Sequence, residues 1–284
     1  MDFDEITCVV PWDEAAGTCG WDLDADQIAT PRLFKSHCTY DQIAKGARYI
    51  YVARNPSDCL VSFYHFIVPY FGYSQQDISF EDFAELFFFS GSSAHGSIFP
   101  HLLSWWKQRE NPDVLWMFYE DLREDLPACV RRIADFMGIN LTEELLAVTL
   151  ENSSFRFMRD RAPQFDDHFV RNAAYVTLKL TDEEGFKVGK GTVLSPSRSF
   201  LSLSPPSLPV FSSLLFLSSD FILSTAVREG GGGSNYAIPE NISAKLRSGW
   251  AAVMGDTGYG TFHELREDLS CLKGRREGKG EGGK

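Results

Sequence analysis

Two pairs of residues in this chain have the type and spacing to hold an anion or move a proton. Arg54 closes the apolar run "YIYVAR", and Ser62 follows eight residues later within "NPSDCLVSFYHF". A guanidinium offers a planar fork of donors that fits a phosphate, and a hydroxyl on a following helix adds another donor. A helix beginning between them would aim its N-terminal amides and dipole at the same anion. Spacing alone leaves an alternative open, with Arg54 ion-paired to Asp58 and Ser62 bonded to its own backbone. The second pair is Lys35 and His37, in "PRLFKSH". They alternate along an extended run, so both side chains leave on one side. A histidine that titrates near neutrality suits removal of a proton from an alcohol or phenol. Taken alone, a histidine such as His37 is more often a loop residue with no chemical task.

The elements that must position these residues follow from hydrophobic pattern. "YIYVAR" is β-branched and aromatic and apolar almost throughout, as expected of a strand buried on both faces. Asn55 can cap a helix, Pro56 suits its first turn, and Leu60, Val61, Tyr64 and Ile67 recur at helical spacing. "SFEDFAELFFF" opens with a capping-box pattern, Ser79 and Asp82, and "PHLLSWWKQRE" reads as a further helix. "DVLWMFYEDL" reads as a second buried strand with an acidic turn. "LPACVRRIADFMGI" is an amphipathic helix, and "TEELLAVTLENSSFRFM" continues as helix capped from Thr142. Strands alternating with helices predict an α/β fold with a parallel sheet, whose ligands lie at the carboxyl ends of the strands. Arg54 stands at such an end.

Composition narrows the function classes. The net charge of -12, from 39 acidic against 27 basic residues, argues against a general nucleic-acid binder. Cys8, Cys19, Cys38, Cys59, Cys129 and Cys271 form no CxxC or Cys/His ligand spacing, so no metal site is expected. Scattered thiols and an acidic opening, "MDFDEITCVVPWDE", in place of a basic leader predict a cytoplasmic protein. No GxxxxGK[ST] loop is present, which disfavours a nucleotide kinase.

"FKSH", "YIYVARNPSDCLVSFYHF", "SWWKQRENPDVLWMFYEDLRED" and "NSSFRFM" follow one another in the order and spacing of the cytosolic sulfotransferases. Over roughly residues 5 to 170 the chain resembles that family, which moves a sulfuryl group from 3'-phosphoadenosine 5'-phosphosulfate (PAPS) to a hydroxyl or amine. The resemblance implies a three-layer parallel sheet flanked by helices, of the P-loop-nucleotide-kinase-like type. It implies that Arg54 and Ser62 bind the cofactor's 3'-phosphate and that Tyr119 contacts its adenine. Ser153 and Phe155 match a threonine and an aromatic residue at the same base. His37 matches the catalytic base and Lys35 the basic residue beside the sulfuryl group. Arg228 and Gly230 match an Arg-x-Gly loop that closes on the 3'-phosphate, with Glu229 where a lysine is usual. No metal is implied, and the acceptor is a small molecule, aromatic or apolar given "YHFIVPYFGY". The family's first strand and its "PKSGTTW"-like loop, which carries a lysine that acts in catalysis, have no counterpart here. The expectation is therefore a chain truncated at its amino terminus, with an inactive remnant that at most binds the nucleotide as the alternative.

After Lys190 the composition shifts. Residues 191–226 are mostly Ser, Leu, Pro and Phe, with Arg198 and Asp220 as their charged residues. Pro196, Pro205, Pro206 and Pro209 interrupt any helix or central strand, and the apolar residues keep no period. All four residue types have pyrimidine-only codons, so the segment reads as an insertion of retained-intron type. A membrane span through "LPVFSSLLFLSSDFILSTAV" is disfavoured by its serines, proline and aspartate. Joining Lys190 to Val227 gives "KVGKVREGGGGS", a basic, Gly-rich run suited to a phosphate-closing loop. The expected division is 1–190 core, 191–226 insertion, 227–272 remainder of the domain and 273–284 a Gly/Lys-rich tail.

Overall fold

Two parallel strands carry the fold. In the computed structural model, which describes residues 3–70, 73–90, 97–177, 236–270 and 272, β1 (Tyr49–Ala53) pairs with β2 (Val114–Phe118). Tyr49 lies opposite Val114 and Ala53 opposite Phe118. Alternation sends successive side chains to opposite faces. Ile50, Val52, Leu115 and Met117 face one cluster; Tyr49, Tyr51, Ala53, Val114, Trp116 and Phe118 face another. Helices cover both faces, so the near-continuous apolar character of the two strands has its cause, and three layers result.

The helices form where their caps allow. After the single turn α1 (Ala16–Cys19), α2 (Pro56–Tyr70) begins behind Asn55, whose Oδ1 accepts the Ser57 N–H at 2.9 Å. Ser79 caps α3 (Phe80–Phe83) by accepting the Asp82 N–H at 3.0 Å, and a π-helical stretch, Ala84–Phe89, follows. Next come α4 (Ile98–Trp106), then α5 (Tyr119–Glu124) directly on the end of β2, then α6 (Leu126–Met137). Gly138, at φ 71°, closes α6 in the left-handed conformation that glycine adopts without steric cost. The helix expected to run through "TEELLAVTLENSSFRFM" is divided into α7 (Glu143–Asn152) and α8 (Phe155–Asp160). The cause is Ser154, whose hydroxyl accepts the Phe157 N–H at 3.2 Å and starts a new helix. α9 (His168–Thr177), α10 (Glu240–Met254) and α11 (Phe262–Leu269) complete the described α-helices. Arg228, Gly230, the 191–226 segment and the 273–284 tail lie outside the described residues.

Residues from α10 and α11 share the larger core. Ile242, Leu246, Trp250, Met254, Phe262 and Leu265 pack in one cluster with Leu60, Tyr64, Phe99 and Phe118. The closest approach is at Gly249, where an added Cβ would meet the Phe99 ring at 2.4 Å. A second attachment is polar. Asp121, fully buried on α5, accepts from Arg266 Nε at 2.9 Å and from Ser270 Oγ at 2.6 Å, while Arg266 Nη2 reaches Glu124 at 2.7 Å. Arg266→Met therefore strips a guanidinium from a buried carboxylate and is expected to cost about 3–5 kcal/mol in urea unfolding. Glu124→Gln removes a half-exposed bond and should cost under about 1 kcal/mol. Equal losses in the two variants would contradict this division.

Candidate functional site

Arg54 and Tyr119 are the first residues beyond the two strands. Because Ala53 pairs with Phe118, the register sets them side by side at the carboxyl ends. The Arg54 guanidinium lies 4.3 Å from the Tyr119 ring centroid, a cation–π contact over a buried aromatic. The two loops are tied to each other: the Asn55 N–H donates to Glu120 Oε1 at 2.9 Å. Burial raises the Glu120 carboxyl above its ordinary value, opposed by that hydrogen bond and by the charges of Arg266 and Arg54. α2 opens at this point, and its Ser62 is 4% exposed. Beneath it Cys59 is a buried thiol, pushed up to about 12 mainly by desolvation. The strand-end group thus joins a guanidinium, a phenol ring, a helix N-terminus and, two turns along α2, a hydroxyl.

Lys35 and His37 form a second group, around a residue that sequence reasoning missed. Lys35 bridges to the Trp12 segment, donating its N–H to Pro11 O at 2.9 Å and accepting from the Asp13 N–H at 3.0 Å. Its ammonium lies 4.4 Å over the Trp12 ring and 3.1 Å from Asp167 Oδ2, with both charged side chains almost wholly buried. The His37 ring meets the same indole edge-on, centroids 4.8 Å apart. The two side chains do leave the extended run toward one side, and Trp12 is what they meet. Glu14 Oε1 accepts the His37 N–H at 2.5 Å and lies 3.8 Å from His37 Nδ1. The His37 carbonyl is held by His101 Nε2 at 3.0 Å. A carbonyl only accepts, so Nε2 carries the hydrogen, and in neutral His101 Nδ1 accepts from the Tyr51 phenol at 3.4 Å. Tyr51 belongs to β1, so this relay connects the His37 segment to the strand that carries Arg54.

Ser153 and Phe155 stand at the junction of α7 and α8. The Ser153 hydroxyl is buried with no hydrogen-bond partner among the described residues, which suits a group kept for a polar ligand. Arg159 lies 5.4 Å over the Phe155 ring. Arg228 and Gly230 lie outside the described residues. No local periodicity marks Trp12 or Glu14 in the acidic amino-terminal stretch, and Asp167 lies 132 residues from Lys35 in sequence.

Asp13, Glu14 and Cys38 bring carboxylate oxygens and a sulfur within 4.8 Å of one another. Burial raises the Cys38 thiol, against the thiolate a soft metal needs, and its Sγ lies 3.7 Å from Glu14. The Asp13 carboxyl is pushed up to about 7, first by burial and then by its hydrogen bond to Glu14 and that residue's charge. The folded chain therefore holds a proton at Asp13 that the unfolded chain releases near the ordinary aspartate value of 3.8. Its penalty on folding is absent at low pH, grows as pH rises through that window and is complete above the folded value. Asp13→Asn should gain stability relative to the unmodified chain on going from pH 4 to pH 8, read as the difference in Tm. A difference that does not change with pH would contradict a raised Asp13.

Residues 22–189 match a family model described as a sulfotransferase domain. Sulfotransferase 1E1 of Bos taurus is 34% identical over 140 residues, covering 48% of this chain and 47% of that protein. The 3-alpha-hydroxysteroid sulfotransferase of Cavia porcellus is 33% identical over 189 residues, covering 64% and 61%. The chain spans about half the length of the first curated relatives it matches. Among solved structures, mouse sulfotransferase SULT7A1 complexed with PAP superposes with a TM-score of 0.50 at 21% identity, covering 82% of this chain and 69% of that one. This likeness extends to the fold.

Proposed function

The chain belongs to the sulfotransferase domain family, and on that premise we propose that it transfers a sulfuryl group from PAPS to a hydroxyl or amine of a small acceptor. The observation that carries the reading is the register of β1 and β2, which sets Arg54 over Tyr119 where α2 begins.

In this reading Arg54 and Ser62 hold the 3'-phosphate, a dianion matched by a guanidinium fork, a hydroxyl and helix amides. Tyr119 and Phe155 offer aromatic surface to the base, and the buried Ser153 hydroxyl serves it as a polar contact. The family resemblance assigns Arg228 and Gly230, which lie outside the described residues, to the same phosphate. Bound PAPS supplies an activated sulfuryl group. His37 takes the acceptor's proton while the acceptor oxygen bonds to sulfur. PAPS, when bound, would supply the leaving group, its 5'-phosphate taking the electron pair of the bond to sulfur. Lys35, ion-paired with Asp167, packs on the same Trp12 ring as His37 and is the basic residue assigned to the sulfuryl group. None of these roles requires a metal.

A relative is named for 3-alpha-hydroxysteroids, and we extend an apolar hydroxylated acceptor of that kind to this chain. Supporting it is the apolar character of "YHFIVPYFGY"; Phe63, just before it, packs in an aromatic cluster with Phe83 and Phe87, the last two stacked at 5.4 Å. A cytoplasmic setting is part of the same reading, supported by the thiols of Cys8, Cys19, Cys38 and Cys59. Among the described residues no helix is long and apolar enough to cross a membrane.

Calorimetry with adenosine 3',5'-bisphosphate and with adenosine 5'-phosphate tests the nucleotide site. Arg54→Ala should weaken the bisphosphate by about 2–4 kcal/mol, the range for losing a charged hydrogen-bond partner, and the monophosphate far less. Equal losses would mean that Arg54 does not read the 3'-phosphate.

A further inference from the structure

Glu14 makes contacts with His37 that neither the family resemblance nor the reaction called for. Its Oε1 accepts the His37 backbone N–H at 2.5 Å and stands 3.8 Å from Nδ1, an ion-pair distance. Both side chains are about three-quarters buried, at 24% and 23% exposure, so solvent weakens their attraction only in part. The Trp12 ring packs edge-on against the imidazole at an interplanar angle of 71° and limits its rotation.

We propose that Glu14 is the positioning residue of His37, turning Nδ1 toward its carboxylate and leaving Nε2 to take the acceptor's proton. The proposal deepens the reading of His37 as the base and rests on it. A carboxylate facing Nδ1 favours the tautomer with hydrogen on that nitrogen, and so puts the lone pair on Nε2. It also favours the imidazolium formed when the acceptor proton arrives at Nε2, as the sulfur–oxygen bonds exchange. The backbone bond fixes the same residue at its other end.

Other charged and titratable groups lie around His37 among the described residues. Asp13 Oδ1 accepts the Glu14 N–H at 2.7 Å, and its carboxyl is itself pushed up to about 7, mainly by burial. The Cys38 thiol lies 3.7 Å from Glu14. Lys35 contacts the same Trp12 ring, its charge paired with Asp167 at 3.1 Å. On α4, His101 holds the His37 carbonyl.

Nuclear magnetic resonance of the imidazole signals tests this on the full chain without any ligand, with His37→Gln assigning the His37 resonance. Glu14→Gln keeps an oxygen for the backbone N–H and removes the charge. It is expected to lower the His37 midpoint by about 0.5–1 unit and to shift the ring nitrogens away from the form with hydrogen on Nδ1. Asp13→Asn should move the midpoint less. An unchanged midpoint and tautomer in Glu14→Gln overturns the proposal, including where the variant only melts earlier. So does a shift that appears in Asp13→Asn and not in Glu14→Gln. Because the titration needs no cofactor or acceptor, a chain that fails to transfer sulfuryl groups still reports on Glu14. Intact transfer with an unmoved midpoint would remove Glu14 alone.

Discussion

The pairing of Ala53 with Phe118 is the constraint on which the remaining structure depends. A slip of either strand by one residue would turn all of that strand's side chains to the opposite face. Tyr49 in a slip of β1, or Trp116 and Phe118 in a slip of β2, would leave the cluster shared with α2 and α10, and Arg54 would no longer meet Tyr119. Both faces of the strands are buried and carry different shapes. Large aromatics face one side, while Ile50, Val52, Leu115 and Met117 face the other, so the register is specified twice. The arginine at the strand end can thus be placed by packing that lies wholly beneath it.

Polar contacts then hold the strand ends in place. Asn55 to Glu120 joins the two turns, and Arg266 to Asp121 clamps the second of them from α11. The Tyr51–His101–His37 relay extends the same support to the histidine. Lys35 and Asp167 bury opposite charges beside it, an arrangement costly to break from either side, on the order of 3–5 kcal/mol. The two chemical groups of the site are therefore anchored to one strand, Arg54 as its continuation and His37 through the Tyr51 phenol.

What was legible in the sequence follows from how local each cause is. The strand "YIYVAR", the Asn55–Pro56 start of α2 and the Ser79 cap are written within a few residues, and the structure has them. The break between α7 and α8 was missed because Ser154 reads as a mid-helix serine until its hydroxyl is seen to cap. Arg54 and Ser62 could be singled out because strand end and helix adjoin in sequence. Trp12, Glu14 and Asp167 could not, since their meeting with Lys35 and His37 is made by chain segments far apart, with no period to announce it. The family resemblance supplied roles for single residues and said nothing of these partners.

The central claim is that Arg54 and Tyr119, set together by the strand register, are the nucleotide site. A crystal structure of the chain with adenosine 3',5'-bisphosphate tests it most directly. The account predicts the 3'-phosphate oxygens within hydrogen-bond distance of the Arg54 guanidinium and the Ser62 hydroxyl, with the base against Tyr119. A nucleotide bound elsewhere, with neither Arg54 nor Ser62 touching a phosphate, would contradict it.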